Sequence, residues 1–329
     1  MLRSRLPLGN VTRDNPARVF PLSLIALLLV FCANLHAAAP SSGSWYHWQL
    51  LTPNKQPIDV ATAVARWDDK NVILVGEWHT HSGIHQFQAA LLNQLMWHSS
   101  TIALSMEQFS RDQQATLDAY LAGKVGEHAV IDIAWSNYPS DYRPLVEQMK
   151  QAQRPVIAAN APSSIVRCVS AEGATFLATL PHSHQLWVAP ELNLDDPAYR
   201  AKFEAATPHG DVPSDNQFAA QVTWDETMAD SILFYLATYP DTQIVHLAGA
   251  FHVENGLGIE SRLLRREPNL KTVLITPISA AELELYQPNN NEYLLLASPI
   301  PAFYLEDEAP TFAHHHRAKC QLSEVPSHN

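Results

Sequence analysis

The sequence predicts an α/β fold, a mostly parallel central sheet flanked by helices, with a smaller helical subdomain. Short aliphatic and β-branched runs recur along the chain: NVILVG, TIALSM, RPVIAAN, QLWVA, TQIVHLAG, KTVLIT and EYLLLAS. Stretches with helical spacing separate them, at Ile84 to Trp97, Arg111 to Leu121, Asp141 to Gln151 and Ser214 to Ala237. The runs are apolar on both faces, which is the pattern of strands covered by helices on each side of a parallel sheet. With 47% hydrophobic and 16% charged residues in 329, the chain has the composition of an ordinary globular protein.

Taken in order, residues 1–38 read as a secretory signal peptide. Arg3, Arg5, Arg13 and Arg18 precede the apolar run VFPLSLIALLLVFCA, and the small residues of HAAAPSSGS follow it. The run is too short for a spanning helix, which needs about 18 apolar residues, and it contains Pro21. Export with the mature chain facing the periplasm is expected. Cys32 is preceded by Phe31, where a lipoprotein signal wants a small residue, so a lipid anchor is disfavoured. Loss of a leader with four Arg and one Asp takes the net charge from −12 to −15. That acidity disfavours nucleic acid and anionic lipid as partners. Cys168 and Cys320 then remain, enough for at most one disulfide in an oxidising compartment.

Residues 39–66 read as an N-terminal linker and entry segment, 67–300 as the main domain and 301–329 as a tail carrying His314, His315 and His316. Within the main domain, about 162–237 is richer in helical pattern than in strand. It is broken by the turn-forming NLDDPAY and TPHGDVPSDN, which marks it as the helical subdomain.

Ligands of open parallel sheets bind at the carboxyl ends of the strands. Three candidate strands finish on chemically capable residues: LVGEWH, LSMEQF and LAGAFH place Glu77 and His79, Glu107, and His252 there. Glu77 and His79 are two apart, so an extended backbone points both the same way. Gly76 and Gly249 each precede a histidine by three, where the lack of a Cβ permits a sharp turn or a close approach. One polar residue after a strand is commonly just the start of a loop, but three strands converging make a set. His81 and His85 lie a turn apart. The segment THSGIHQF also suits a plain helix start capped by Thr80 or Ser82. The tail histidines resemble a metal-binding run, although a terminal tract needs no site. No G-x-S-x-G, P-loop or G-x-G-x-x-G is present, nor a C-x-x-C-H.

The segments VILVGEWHTHSGIHQFQ, ALSMEQFSRDQQATLDAYLAG and IVHLAGAFHVENGLGI together resemble the ChaN-type haem-binding uptake proteins of the Tiki superfamily. That superfamily contains the TraB proteins and is similar to erythromycin-esterase-like enzymes. The likeness runs from about Trp67 to Leu274. It implies reversible haem binding with a tyrosine of the helical part on the iron, two haems stacked cofacially across a homodimer, and outer-membrane uptake machinery as a partner. The matching stretch NLDDPAYRAKFEAATPHG makes Tyr199 the implied axial ligand, Arg200 its electrostatic aid or propionate partner, and His209 the reserve. Phenolate is a hard donor suited to ferric iron. On its residues alone, without the resemblance, Tyr199 reads first as an ordinary interfacial tyrosine on an amphipathic helix. The same superfamily supplies a rival: a hydrolase in which Glu77, His79, Glu107 and His252 activate water. In that case Glu77, His79 and His252 could hold a divalent metal.

Overall fold

The computed structural model describes residues 44–206, 213–302, 320 and 322. The leader, His209 and the tail histidines lie outside them. Seven strands form one sheet in the order β1-β7-β6-β2-β5-β3-β4. They are β1 (Trp48–Leu51), β2 (Val72–Glu77), β3 (Ile102–Ser110), β4 (Val156–Asn160), β5 (Gln243–Gly249), β6 (Thr272–Ile278) and β7 (Glu292–Ala297). All neighbours pair in parallel except β1, which runs antiparallel to β7. The expected α/β class is therefore the observed one.

Helices cover both faces, as the two-sided apolar strands require. Ile73 and Val75 of β2 face a core shared with α1 (Val60–Arg66), α2 (Ser82–His98) and α4 (Arg143–Gln151); α3 (Gln114–Leu121) adds Leu117. Val72 and Leu74 face the other way, onto Met228 and Ile232 of α7 (Asp215–Thr238) and Ile259 and Leu263 of α9 (Ile259–Arg266). Between them come α5 (Ser163–Glu172), α6 (Pro197–Ala205) and the one-turn α8 (Ala250–Val253). From Ser163 to Thr238 the described residues contain helices and turns only, and they belong to the same compact unit as the sheet. Cys168 is bonded to Cys320. Among the described residues no helix is long and apolar enough to cross a membrane.

Local chemistry sets the helix starts. Asp59 caps α1, and Ser214 caps α7 in a capping box with Gln217. Asp196 caps α6 ahead of Pro197, whose missing N–H costs nothing at that position. The start of α2 differs from expectation. Neither Thr80 nor Ser82 caps it; His81 does, its Nδ1 accepting from the Ile84 amide while Nε2 donates to the Ser298 carbonyl. The edge strand β4 is closed by a side chain: Gln114 donates to the Val156 carbonyl and accepts from the Ala158 amide, which leaves little open edge for another chain to pair with.

Three further elements depart from the sequence reading. QLWVA is not a strand. Pro181 and Pro190 bound it, and Val188 turns in against α5 and α7 in a small helical core. The segment read as linking, 39–66, contains β1 and α1. β3 continues past Met106 to Ser110, with an irregular register between those residues, so Glu107 belongs to the strand itself.

Candidate functional site

The order β2-β5-β3 puts the three motif-bearing strands side by side, with Glu77 in register with Gly249 and Met106 with Leu247. Glu77, Glu107 and the turn from Gly249 to His252 therefore share the carboxyl edge at the centre of the sheet. This is the juxtaposition the paired G-x-x-H motifs predicted.

Glu77 is buried and surrounded by donors. Its Oε1 accepts from His79 Nδ1 (2.9 Å), Gln108 (3.0 Å) and the Tyr142 hydroxyl (2.6 Å), and its Oε2 accepts from Gln88 (2.6 Å). Burial opposes its charge, but the His79 hydrogen bond, the charges of His85 and His79, and the Tyr142 hydroxyl outweigh it. The carboxyl pKa falls below the usual value. His79 is correspondingly raised: burial disfavours its cation, and Glu77 and Glu107 more than restore it. Its side chain is 43% exposed, with Trp135 edge-on at 5.0 Å.

Across the edge, Glu107 accepts the Gly249 amide at 2.6 Å, and its other oxygen lies 3.7 Å from His252 Nε2. His252 Nδ1 donates to Asp225 Oδ1 at 2.8 Å. Asp225 comes from the middle of α7, is fully buried, and accepts the Tyr199 hydroxyl on its second oxygen. Burial disfavours the His252 cation, yet the charges of Asp225 and Glu107 raise its pKa overall. For Asp225, burial is outweighed first by the His252 charge, then by the hydrogen bond from His252, and its pKa is lowered.

Both glycines serve close approach. A Cβ at Gly249 would lie 2.9 Å from His79 Nε2, and one at Gly76 would lie 3.0 Å from Pro277 and 3.3 Å from the Ala250 backbone. Neither has a positive φ. The geometry is thus two imidazoles, each with Nδ1 held by a buried carboxylate and Nε2 on the Glu107–Gly249 side. That is the arrangement of a base oriented by a third group.

The remaining candidates separate. His81 caps a helix and stacks on Trp45, whereas His85 bonds Gln88 and the His79 carbonyl and so supports the site from behind. A divalent metal at Glu77, His79 and His252 is not shown. Among the described residues no group of three or more His, Cys, Asp or Glu side chains is placed to hold an ion. Both oxygens of Glu77 and the Nδ1 of each histidine are already committed to internal hydrogen bonds.

The Tyr199 oxygen is turned into the core. The side chain is completely buried and its hydroxyl donates a hydrogen bond to Asp225. Burial, together with the charge of Asp225, keeps its phenol far above the ordinary pKa. Arg200, its neighbour, pairs with Asp215 and lies over the Phe218 ring.

Sequence reasoning missed Asp225, Gln88, Gln108 and Tyr142. A signal for Asp225 existed. Phe218, Val222, Asp225, Ala229 and Ile232 repeat at spacings of four and three, so an acid interrupts the buried stripe of α7.

No curated protein matches the sequence. Among solved structures, the chain is similar to ChaN of Campylobacter jejuni, described as binding haem cofacially. The identity is 15%, with 77% of this chain and 97% of that one covered and a TM-score of 0.61. It is similar at TM-score 0.44 to an erythromycin esterase in its open conformation, with 14% identity over 71% of this chain and 77% of that one. For the toxin effector domain RRSP of Vibrio vulnificus the TM-score is 0.39, with 17% identity over 77% of this chain and 41% of that one. Residues 63–263 match the family described as haem-binding uptake, Tiki superfamily, ChaN, and the chain belongs to that family.

Proposed function

We propose that this protein binds haem reversibly in iron or haem uptake. The observation that carries the reading is the family match over residues 63–263. The described residues do not fit an iron site at Tyr199, whose oxygen is committed to Asp225, nor at His79 or His252, whose Nε2 atoms face Glu107 and Gly249. Haem would therefore dock away from the strand-end centre, and Arg200 and His209 are the residues to test beside it; His209 lies outside the described residues. The homodimer, the cofacial haem pair and an outer-membrane partner are proposals drawn from the family. So is the periplasmic address, which the basic and apolar leader and the Cys168–Cys320 bond support. Hemin titration followed by visible absorption should saturate at a fixed stoichiometry, and light scattering should show monomers passing to dimers on loading. A signal that rises without saturating would refute the proposal. Recovery of Met1 or Leu2 at the N-terminus of cell-derived protein would refute export.

A second reading is favoured by one observation: both strand-end imidazoles are oriented through Nδ1 by buried carboxylates, with His252 Nε2 3.7 Å from Glu107 and His79 Nε2 beside Gly249. Such a centre suits hydrolysis by general acid and base. The neutral imidazole takes a proton from water as its oxygen attacks an ester or amide carbonyl. The protonated one gives a proton to the leaving group as the carbon–heteroatom bond breaks. One water is consumed. His79→Ala and His252→Ala should each abolish esterase or peptidase activity and leave haem affinity unchanged, and chelators should have no effect on turnover. Undiminished turnover in both variants would end this reading.

A further inference from the structure

The two histidines are held by the same device, built twice. Tyr142 donates to Glu77 (2.6 Å), which accepts from His79 Nδ1 (2.9 Å). Tyr199 donates to Asp225, which accepts from His252 Nδ1 (2.8 Å). The first set is packed against the sheet face of α2 and α4, with Tyr142 in that core. The second stands on the α7 face, since Asp225 belongs to that helix. All six residues come from different places in the chain except the pair Glu77 and His79.

We infer that Tyr199 is a positioning residue: with Asp225 it holds His252 toward Glu107, as Tyr142 with Glu77 holds His79, and it is not an iron ligand in this chain. The inference rests on the strand-end cluster being the working site. Its geometry is fixed at every link. Asp225 has two oxygens and two donors, one from Tyr199 and one from His252, so loss of the phenol leaves one oxygen without that donor. Gln221 donates to the Tyr199 oxygen at 3.2 Å, which settles the direction in which the hydroxyl gives its own proton. Arg262, buried like Tyr199, lies over the ring at 4.4 Å and holds it from the far side. With Nδ1 committed, His252 can exchange protons only through Nε2, the atom 3.7 Å from Glu107. Tyr142 makes the comparison internal. It does for His79 what Tyr199 does for His252, and its oxygen too is committed to a carboxylate.

The test is Tyr199→Phe, which keeps the ring packed between Phe218 and Phe251 and removes only the oxygen. In nitrogen-15-labelled protein, the His252 Nδ1–H signal should exchange with water roughly tenfold faster or more than in the wild type, the ratio that loss of one charge-assisted bond in the relay produces. The His79 signal should stay unchanged. Tyr142→Phe should do the reverse, loosening His79 and leaving His252 alone. Hemin added to Tyr199→Phe should give the wild-type spectrum and affinity. An unmoved His252 signal in Tyr199→Phe would overturn the inference, as would loss of hemin binding together with a phenolate-to-iron charge-transfer band present only in the wild type. A wild type inert toward every ester and amide tried would end the hydrolytic reading instead, while the His252 signal still decides the anchor.

Discussion

Glu77 and Gly249 are register partners across the β2–β5 pair, and His79 folds back over that pair until its Nε2 stands where a Cβ at residue 249 would lie 2.9 Å away. The backbone of one G-x-x-H motif is thus the floor beneath the histidine of the other. Gly249→Ala should leave the fold intact, because the atom it meets is the end of a half-exposed side chain that can move. The cost should stay within about 1–3 kcal/mol, the usual range for an added methyl. The His79 ring should be displaced from Glu77, visible as a shifted imidazole signal, and any turnover at the site should be lost.

Glu77→Gln attacks the same point through charge. An amide nitrogen would confront the donors from Gln88, Gln108 or Tyr142, and His79 would lose its counter-charge. Stability should drop by about 3–5 kcal/mol, as for other buried pairs broken on one side. Urea unfolding measures it directly.

The pH dependence of stability has a separate source. His246 lies fully buried in β5, bonded to Ser105, and burial pushes its pKa down from 6.5 to about 3. The unfolded chain takes up that proton as pH falls through 6.5, and the folded chain does not until about 3. Folding stability is therefore lost on acidification across that window. His79 and His252, both raised, act with the opposite sign: their contribution is complete below 6.5 and is lost as pH climbs through their folded values. Glu77, lowered, adds a further loss only below 4.5. Comparing His246→Gln with the wild type from pH 6 to 4, the wild type should lose about 1.4 kcal/mol more per pH unit. Parallel curves would contradict this.

Reduction tests the cross-link. The Cys168–Cys320 bond joins residues 152 apart in sequence and ties the end of the chain to α5. Reducing agent should lower stability by about 2–4 kcal/mol, and Cys168→Ser should reproduce the loss without it. A melting temperature indifferent to reductant would show that the bond does not form.

What the sequence made legible follows from how local each signal is. Alternating apolar runs and helices determined the α/β class, and strand ends that carry Glu77, Glu107 and His252 converged because parallel strands end on one edge. QLWVA failed as a strand because two prolines bound it and its apolar residues serve a helical core. Asp225 and Tyr199 could not be joined to His252 by reading along the chain, since α7 must first fold over the sheet to bring them together. The likeness to haem binders pointed to Tyr199 as a ligand; its hydrogen bond to Asp225 was not legible in the sequence.

The central claim is that this chain takes up haem without using its strand-end centre. The most direct measurement is a hemin titration of the wild type beside a His79→Ala, His252→Ala double variant, read by visible absorption. The account predicts saturable binding in both, with the same stoichiometry and affinities within about twofold, which is less than 0.5 kcal/mol. Failure of the wild type to saturate, or loss of haem in the double variant alone, would contradict it.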